Sequence, residues 1–300
     1  MKLKLNTTLC LTILCVSISL SQNNMDNPEL KKLYKEDQAD RKTEKVDWKL
    51  ISERDSLRRK RVYELLKSDK VKTANDYSNA AMIFQHGKDS IAFGMAVKLM
   101  KKAVSLDATI SKWLLAAAID RELMSRDQPQ IYGTQFVRKG KEDPWELYTI
   151  DTTKISDEER IAHKVETLAR LKERVKLLNK KPISEVLETG ISIEEFISFC
   201  RREKTQKEES KYNLTEIAIN NYGYELMKKD KNKEALALFK LNVELYPNAF
   251  NTYDSLGECL LKLDETEEGL SAYRKSLALN PDNKNAEKII KKYQNPGTQY

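Results

Sequence analysis

Apolar residues recur along most of this chain at the three- and four-residue spacing of an amphipathic helix, with charged residues filling the opposite face. NPELKKLYKEDQADRK opens on Asn27-Pro28, a helix start. VDWKLISERDSLRRKRVYELLKSD follows as a long helix with a Leu/Ile/Val stripe, and neither segment reads as a strand. KTANDY breaks the pattern and offers Asn75 or Asp76 as an N-cap. In YSNAAMIFQHG, Tyr77, Ala80, Ala81 and Phe84 share one face, and Gly87 ends the helix as a C-cap glycine. SIAFGMAVKLMKKAVSLD and TISKWLLAAAIDRELMSRD predict two more helices, and SDEERIAHKVETLARLKERVKLL predicts a charged one with a solvated face, where His163 has no role. SIEEFISFCRREK aligns Phe196, Phe199 and Cys200.

The last third matches itself at an offset of 34 residues: Tyr222-Gly223 on Leu256-Gly257, Leu226 on Leu260, Phe239 on Tyr273, Leu245 on Leu279 and Pro247 on Pro281. That is the tetratricopeptide period. The Gly positions mark close helix approach and the prolines stop the second helix of each unit. Two units are fewer than a stable stack needs, so the helix holding Phe196 is expected to pack on the first, and NAEKIIKKYQ to cap the last. From about residue 190 to 292 this region resembles an accessory tetratricopeptide module of exported proteins of Bacteroidetes-type bacteria.

Upstream, DQADR (37–41), AAMIFQHG (80–87), WLLAAAIDREL (113–123) and QPQIYGTQF (128–136) resemble, in that order, the bacterial domain-of-unknown-function family 6624. The resemblance spans about residues 28 to 178 and implies a shared fold and a shared site, with no particular reaction.

One residue in that region conflicts with its surroundings. Asp120 projects from the apolar arc of its helix between Ala116 and Trp113. A buried carboxylate must find donors or keep its proton. The loop after it supplies them: amides on Gln128, Gln130 and Gln135, hydroxyls on Tyr132 and Thr134, and backbone N–H groups around Gly133. Arg41 and Arg121 could add charge-assisted bonds. The reading favoured is a structural clasp, and the rival is a polar-ligand pocket formed by Arg41, His86, Asp120, Arg121, Gln130, Tyr132, Thr134 and Gln135. His86, in the last turn before Gly87, is read as a partner of the helix dipole.

MKLKLNTTLCLTILCVSISLSQ has the basic start, short apolar run and small residues of a secretory signal, expected to be cleaved after Ser21; acylation of Cys15 fits less well, because Leu14 is bulky. Its removal takes Lys2 and Lys4, so the basic count falls from 53 to 51 against 46 acids and the net charge from +7 to +5. The charges are interspersed, which argues against a nucleic-acid stripe. Only Cys200 and Cys259 would remain, both expected to be buried thiols, with a bridge left open. Two distant histidines give no metal-ligand spacing, and phosphate-loop, dinucleotide and nucleophile-elbow motifs are absent, so no metal, cofactor or catalytic residue is assigned.

The sequence therefore predicts an all-α protein: a signal at 1–21, an irregular helical domain at 22–182, and a short tetratricopeptide superhelix with its connecting helix at 183–295. The expected role is that of an exported, periplasmic, noncatalytic protein that binds a protein or peptide through the repeat, with Asn221, Tyr224 and Tyr253 as contact candidates. An enzyme or small-ligand binder at Asp120 is the alternative.

Overall fold

The computed structural model describes residues 25–43 and 46–294; the expected signal and the C-terminal PGTQY lie outside them. Contacts divide the chain into two units, one ending at Val137 and resuming over Glu146–Leu171, the other made of Arg138–Trp145 and the chain from Lys172 onward. Among the described residues no helix is long and apolar enough to cross a membrane.

The first unit starts with α1 (Pro28–Asp40), whose Asn27 side chain accepts from the N–H groups of Glu29 and Leu30. Then come α2 (Trp48–Lys67), α3 (Ala74–Gln85), α4 (Ser90–Leu106) and α5 (Trp113–Met124). The cap of α3 is Thr73, two residues before Asn75 and three before Asp76. Its hydroxyl accepts from Asp76 N, while the Asp76 carboxylate accepts from the backbone of Thr73, Lys72 and Asn27. Asp76 thus closes a capping box and ties the start of α1 to that of α3. Gly87 follows α3 for reasons of space: a Cβ there would lie 2.2 Å from the Ala92 Cβ, so glycine lets α3 and α4 turn back on each other. Leu30, Val62, Leu65, Ile83, Phe84, Met100 and Leu115 fill the core between these helices.

After α5 the chain leaves helical geometry. A small antiparallel pair, β1 (Phe136–Val137) with β2 (Glu146–Leu147), and a bridge between Gln130 and Ile150 organise the loop, neither of which the helical periodicity announced. The expected charged helix is two helices, α6 (Asp157–Ala162) and α7 (Leu168–Leu178). The break falls at Lys164, whose φ is +61°, and Val165 N donates back to Arg160 O. That turn buries Val165 with Tyr132, Ala116 and Leu171 in a second small core.

The second unit begins with β3 (Lys181–Pro182), paired in parallel with β4 (Tyr212–Asn213), and contains α8 (Ser184–Leu187) and α9 (Ile193–Thr205). Two helix pairs follow, α10 (Glu216–Lys228) with α11 (Asn232–Leu245) and α12 (Phe250–Lys262) with α13 (Thr266–Leu279), and then α14 (Lys284–Gln294). The repeat has a direct steric basis. A Cβ on Gly223 would sit 2.6 Å from the Phe239 ring, and one on Gly257 2.8 Å from the Tyr273 ring, so the same glycine-to-aromatic contact recurs in both pairs. Phe196 and Cys200 of α9 bury against the first pair, and Ala286 and Ile290 of α14 cover Tyr273 at the other end. Cys200 and Cys259 are free and buried, and burial pushes their thiols up to about 12 and about 11.

Candidate functional site

The Asp120 carboxylate, completely buried on α5, is enclosed by the loop that follows it. Oδ1 accepts from the backbone N–H groups of Ile131 and Tyr132, both at 2.9 Å. Oδ2 accepts from Gly133 N and Thr134 N at 2.9 Å and from Thr134 Oγ1 at 2.8 Å. Four consecutive N–H groups can converge on one carboxylate because Gly133 adopts φ +94°. A Cβ at Gly133 would also meet Leu171 Cδ1 at 2.4 Å.

The loop's glutamines hold the loop itself and not the carboxylate. Gln130, fully buried, donates from Nε2 to Gln135 O and Tyr148 O and accepts Gln135 N at Oε1. Gln128 is exposed. Arg160, 2% exposed, donates to Tyr132 O and Ile131 O and pairs with Asp157. His163 is buried, not solvated: Nδ1 is 3.0 Å from Glu159 O, which can only accept, so Nδ1 carries a proton and Nε2 faces Tyr132 Oη at 3.3 Å. The pattern over 157–178 predicts one charged, solvated helix and so does not single out Arg160 and His163, which the turn at Lys164 brings into the small core. Their i, i+3 spacing on one face was the available signal.

Arg41 is not brought to Asp120. It binds Asp37 at 3.1 Å and Asp55 at 2.6 Å, and the series continues through Arg58 to Asp40 and Arg54. His86 joins at its head, Nδ1 lying 3.0 Å from the Asp37 carboxylate, so its ring serves a side chain beyond the helix dipole. Burial alone would raise the pKa of Asp37. Bonds from His86 and Gln38 and the charges of His86 and Arg41 outweigh it and hold the carboxyl below its usual value.

Arg121 connects the two networks. Nη1 donates to Gln85 O at 2.9 Å, and Nε reaches Gln135 Oε1 at 3.4 Å. Gln135 Nε2 donates to Thr134 Oγ1, which donates to Asp120. The four sequence blocks 37–41, 80–87, 113–123 and 128–136 therefore meet in one hydrogen-bonded arrangement.

In the repeat module the three candidate contact residues have different surroundings. Asn221 is exposed and lines a cavity of about 290 Å³ with Tyr222 and Glu225 of α10 and with Leu177, Pro182 and Ile183. Tyr224 is half-buried and bridges successive first helices, its Oη 2.8 Å from Glu258 Oε2 and 3.2 Å from Ser255 Oγ. Tyr253 lies beneath the Lys275 ammonium, 6.0 Å from the ring centre.

Stacked antiparallel helix pairs with a recurring glycine-to-aromatic contact define the second unit as a tetratricopeptide-type module. Residues 250–283 match the family described as tetratricopeptide repeat. Among solved structures the chain is similar to that of YrrB, described as a TPR protein with an unusual peptide-binding site. The identity is 15%, with 77% of this chain and 97% of that chain covered, and the TM-score is 0.27. The repeat class rests on the matched segment and the helix pairing, not on that superposition. No curated protein matches the chain.

Proposed function

We propose that this is an exported, noncatalytic interaction protein whose repeat module holds a peptide segment of a partner protein. The cavity beside Asn221 carries the reading. The Asn221 amide has no partner among the described residues and offers both a donor and an acceptor, the pair that a peptide unit presents in return. Ile217 lies one helical turn earlier on the same face and is 63% exposed, and Leu178 of α7 is 42% exposed. An extended segment with one apolar side chain next to a free backbone amide suits this surface. Export is supported by the amino-terminal pattern of residues 1–21, and the module's resemblance to tails of exported bacterial proteins agrees with it.

Panning a random peptide library against the full chain tests the binding role. Enriched peptides should lose most of their affinity for Ile217→Asp and Asn221→Arg, two substitutions at surface positions. Peptides that bind both variants as well as the parent would remove this face from consideration. For export, expression with the native amino terminus in a Gram-negative host should yield periplasmic protein beginning at Gln22.

A further inference from the structure

We infer that the first unit carries an oxyanion-binding site, formed by the Arg121 and Arg59 guanidiniums with His86 Nε2, that takes a small carboxylate or phosphate group and is independent of peptide binding by the repeat.

The charge at the end of α3 does not balance. Arg121 donates to Gln85 O and Arg59 donates to His86 O, two successive carbonyls at the C-terminus of that helix. Among the described residues neither arginine forms an ion pair with a carboxylate, whereas the buried or largely buried Arg41, Arg58 and Arg160 all do. Asp120 is next to Arg121 in sequence, but both its oxygens are taken by the loop. A helix C-terminus is equivalent to roughly −0.5 elementary charge, far short of two guanidiniums. The Asp37 carboxylate facing His86 is already shared with Arg41. Burial without a counter-charge lowers the pKa of Arg121, the direction expected of a cation short of a partner.

His86 supplies the second, independent observation. Asp37 holds its Nδ1, which fixes the ring, while Nε2 has no partner among the described residues and the side chain is 18% exposed. An ionised carboxylate behind an imidazole with its far nitrogen open can donate a proton to an anion or accept one from it. The Gln85 Oε1 is buried and has no donor among the described residues, so polar capacity at this helix end is unfilled there. A structural clasp has no use for two unneutralised arginines and an open imidazole nitrogen.

The chain has two histidines, so ¹⁵N imidazole spectra of the whole protein resolve the site directly. Inorganic phosphate and acetate, each titrated at constant ionic strength, are the probes. One or both should shift the His86 Nε2 resonance saturably and leave His163 unmoved. A response to phosphate alone assigns a phosphoryl ligand, and a response to acetate assigns a carboxylate. Arg121→Gln should weaken binding by at least about tenfold, equivalent to losing one charge-assisted bond. Should that variant unfold, Arg59→Gln is read in its place. His86→Asn keeps a donor where Nδ1 stands and removes Nε2, so it should melt like the parent and bind more weakly, measured by calorimetry. The inference is overturned if neither anion moves His86, or if the affinity survives both arginine substitutions.

Discussion

Replacing Asp120 by Asn is the most direct test of the loop, because it removes one oxygen and one charge without changing shape. Oδ1 receives two backbone N–H groups, and Oδ2 receives two more with a hydroxyl. An amide can be turned either way. In each orientation its NH2 faces two N–H groups that have no other acceptor in this enclosed position. Leaving two buried donors unpaired costs about 1–3 kcal/mol each, so about 2–6 kcal/mol in all. That is a large share of a domain's typical stability of about 5–15 kcal/mol. Hydrogen exchange at the amides of 131–134 reports the effect locally, and urea unfolding followed by circular dichroism reports it globally. The four amides should change from protected to rapidly exchanging, and the first unit should unfold at lower urea. Retained protection together with a loss below about 1 kcal/mol, the size of an ordinary substitution, would refute the idea that Asp120 organises the loop.

Asp37 has a folded pKa below its unfolded value, so its contribution is complete above the unfolded value and disappears as pH falls through the folded one. Acid should therefore remove this contribution progressively, from the usual carboxylate range down through the lower folded value, and His86→Ala should move the acid-unfolding midpoint of the first unit to higher pH. Cys200 and Cys259, with thiols pushed up to about 12 and about 11 by burial, should resist a thiol reagent at pH 8 until denaturant is added; fast labelling of the native protein would contradict their enclosure. Gly223→Ala forces a methyl into the Phe239 ring and should cost about 1–3 kcal/mol, with Phe239→Leu in the same chain restoring part of it in thermal melts.

The repeat was legible because its cause is local and periodic. Gly223 with Phe239 and Gly257 with Tyr273 are the same contact 34 residues apart, and self-comparison finds such pairs without a structure. The helices of the first unit were readable for a similar reason, since α1 to α5 bury stripes at helical spacing. Their ends were less so. Thr73 displaced Asn75 and Asp76 as the cap because only Thr73 completes a reciprocal box with Asp76, and the single helix drawn through 157–178 broke where Lys164 takes a left-handed turn. Periodicity carries no information about such single-residue geometry.

The polar residues divide along the same line. That Asp120 needed donors, and that the following loop held them, came from sequence, because an acid on an apolar arc has few ways to be stable. Which donors it uses did not: the backbone of 131–134 closes on it, while Gln130 and Gln135 bind the loop and Arg41 turns to Asp37 and Asp55. The pairing of His86 with Asp37, and of Arg59 and Arg121 with the end of α3, joins residues from separate helices. Sequence determines which helices exist and which faces are apolar, since these follow from spacing along one segment. Which charges meet, and which stay without a partner, depends on how distant segments pack, and only the tertiary structure decides that.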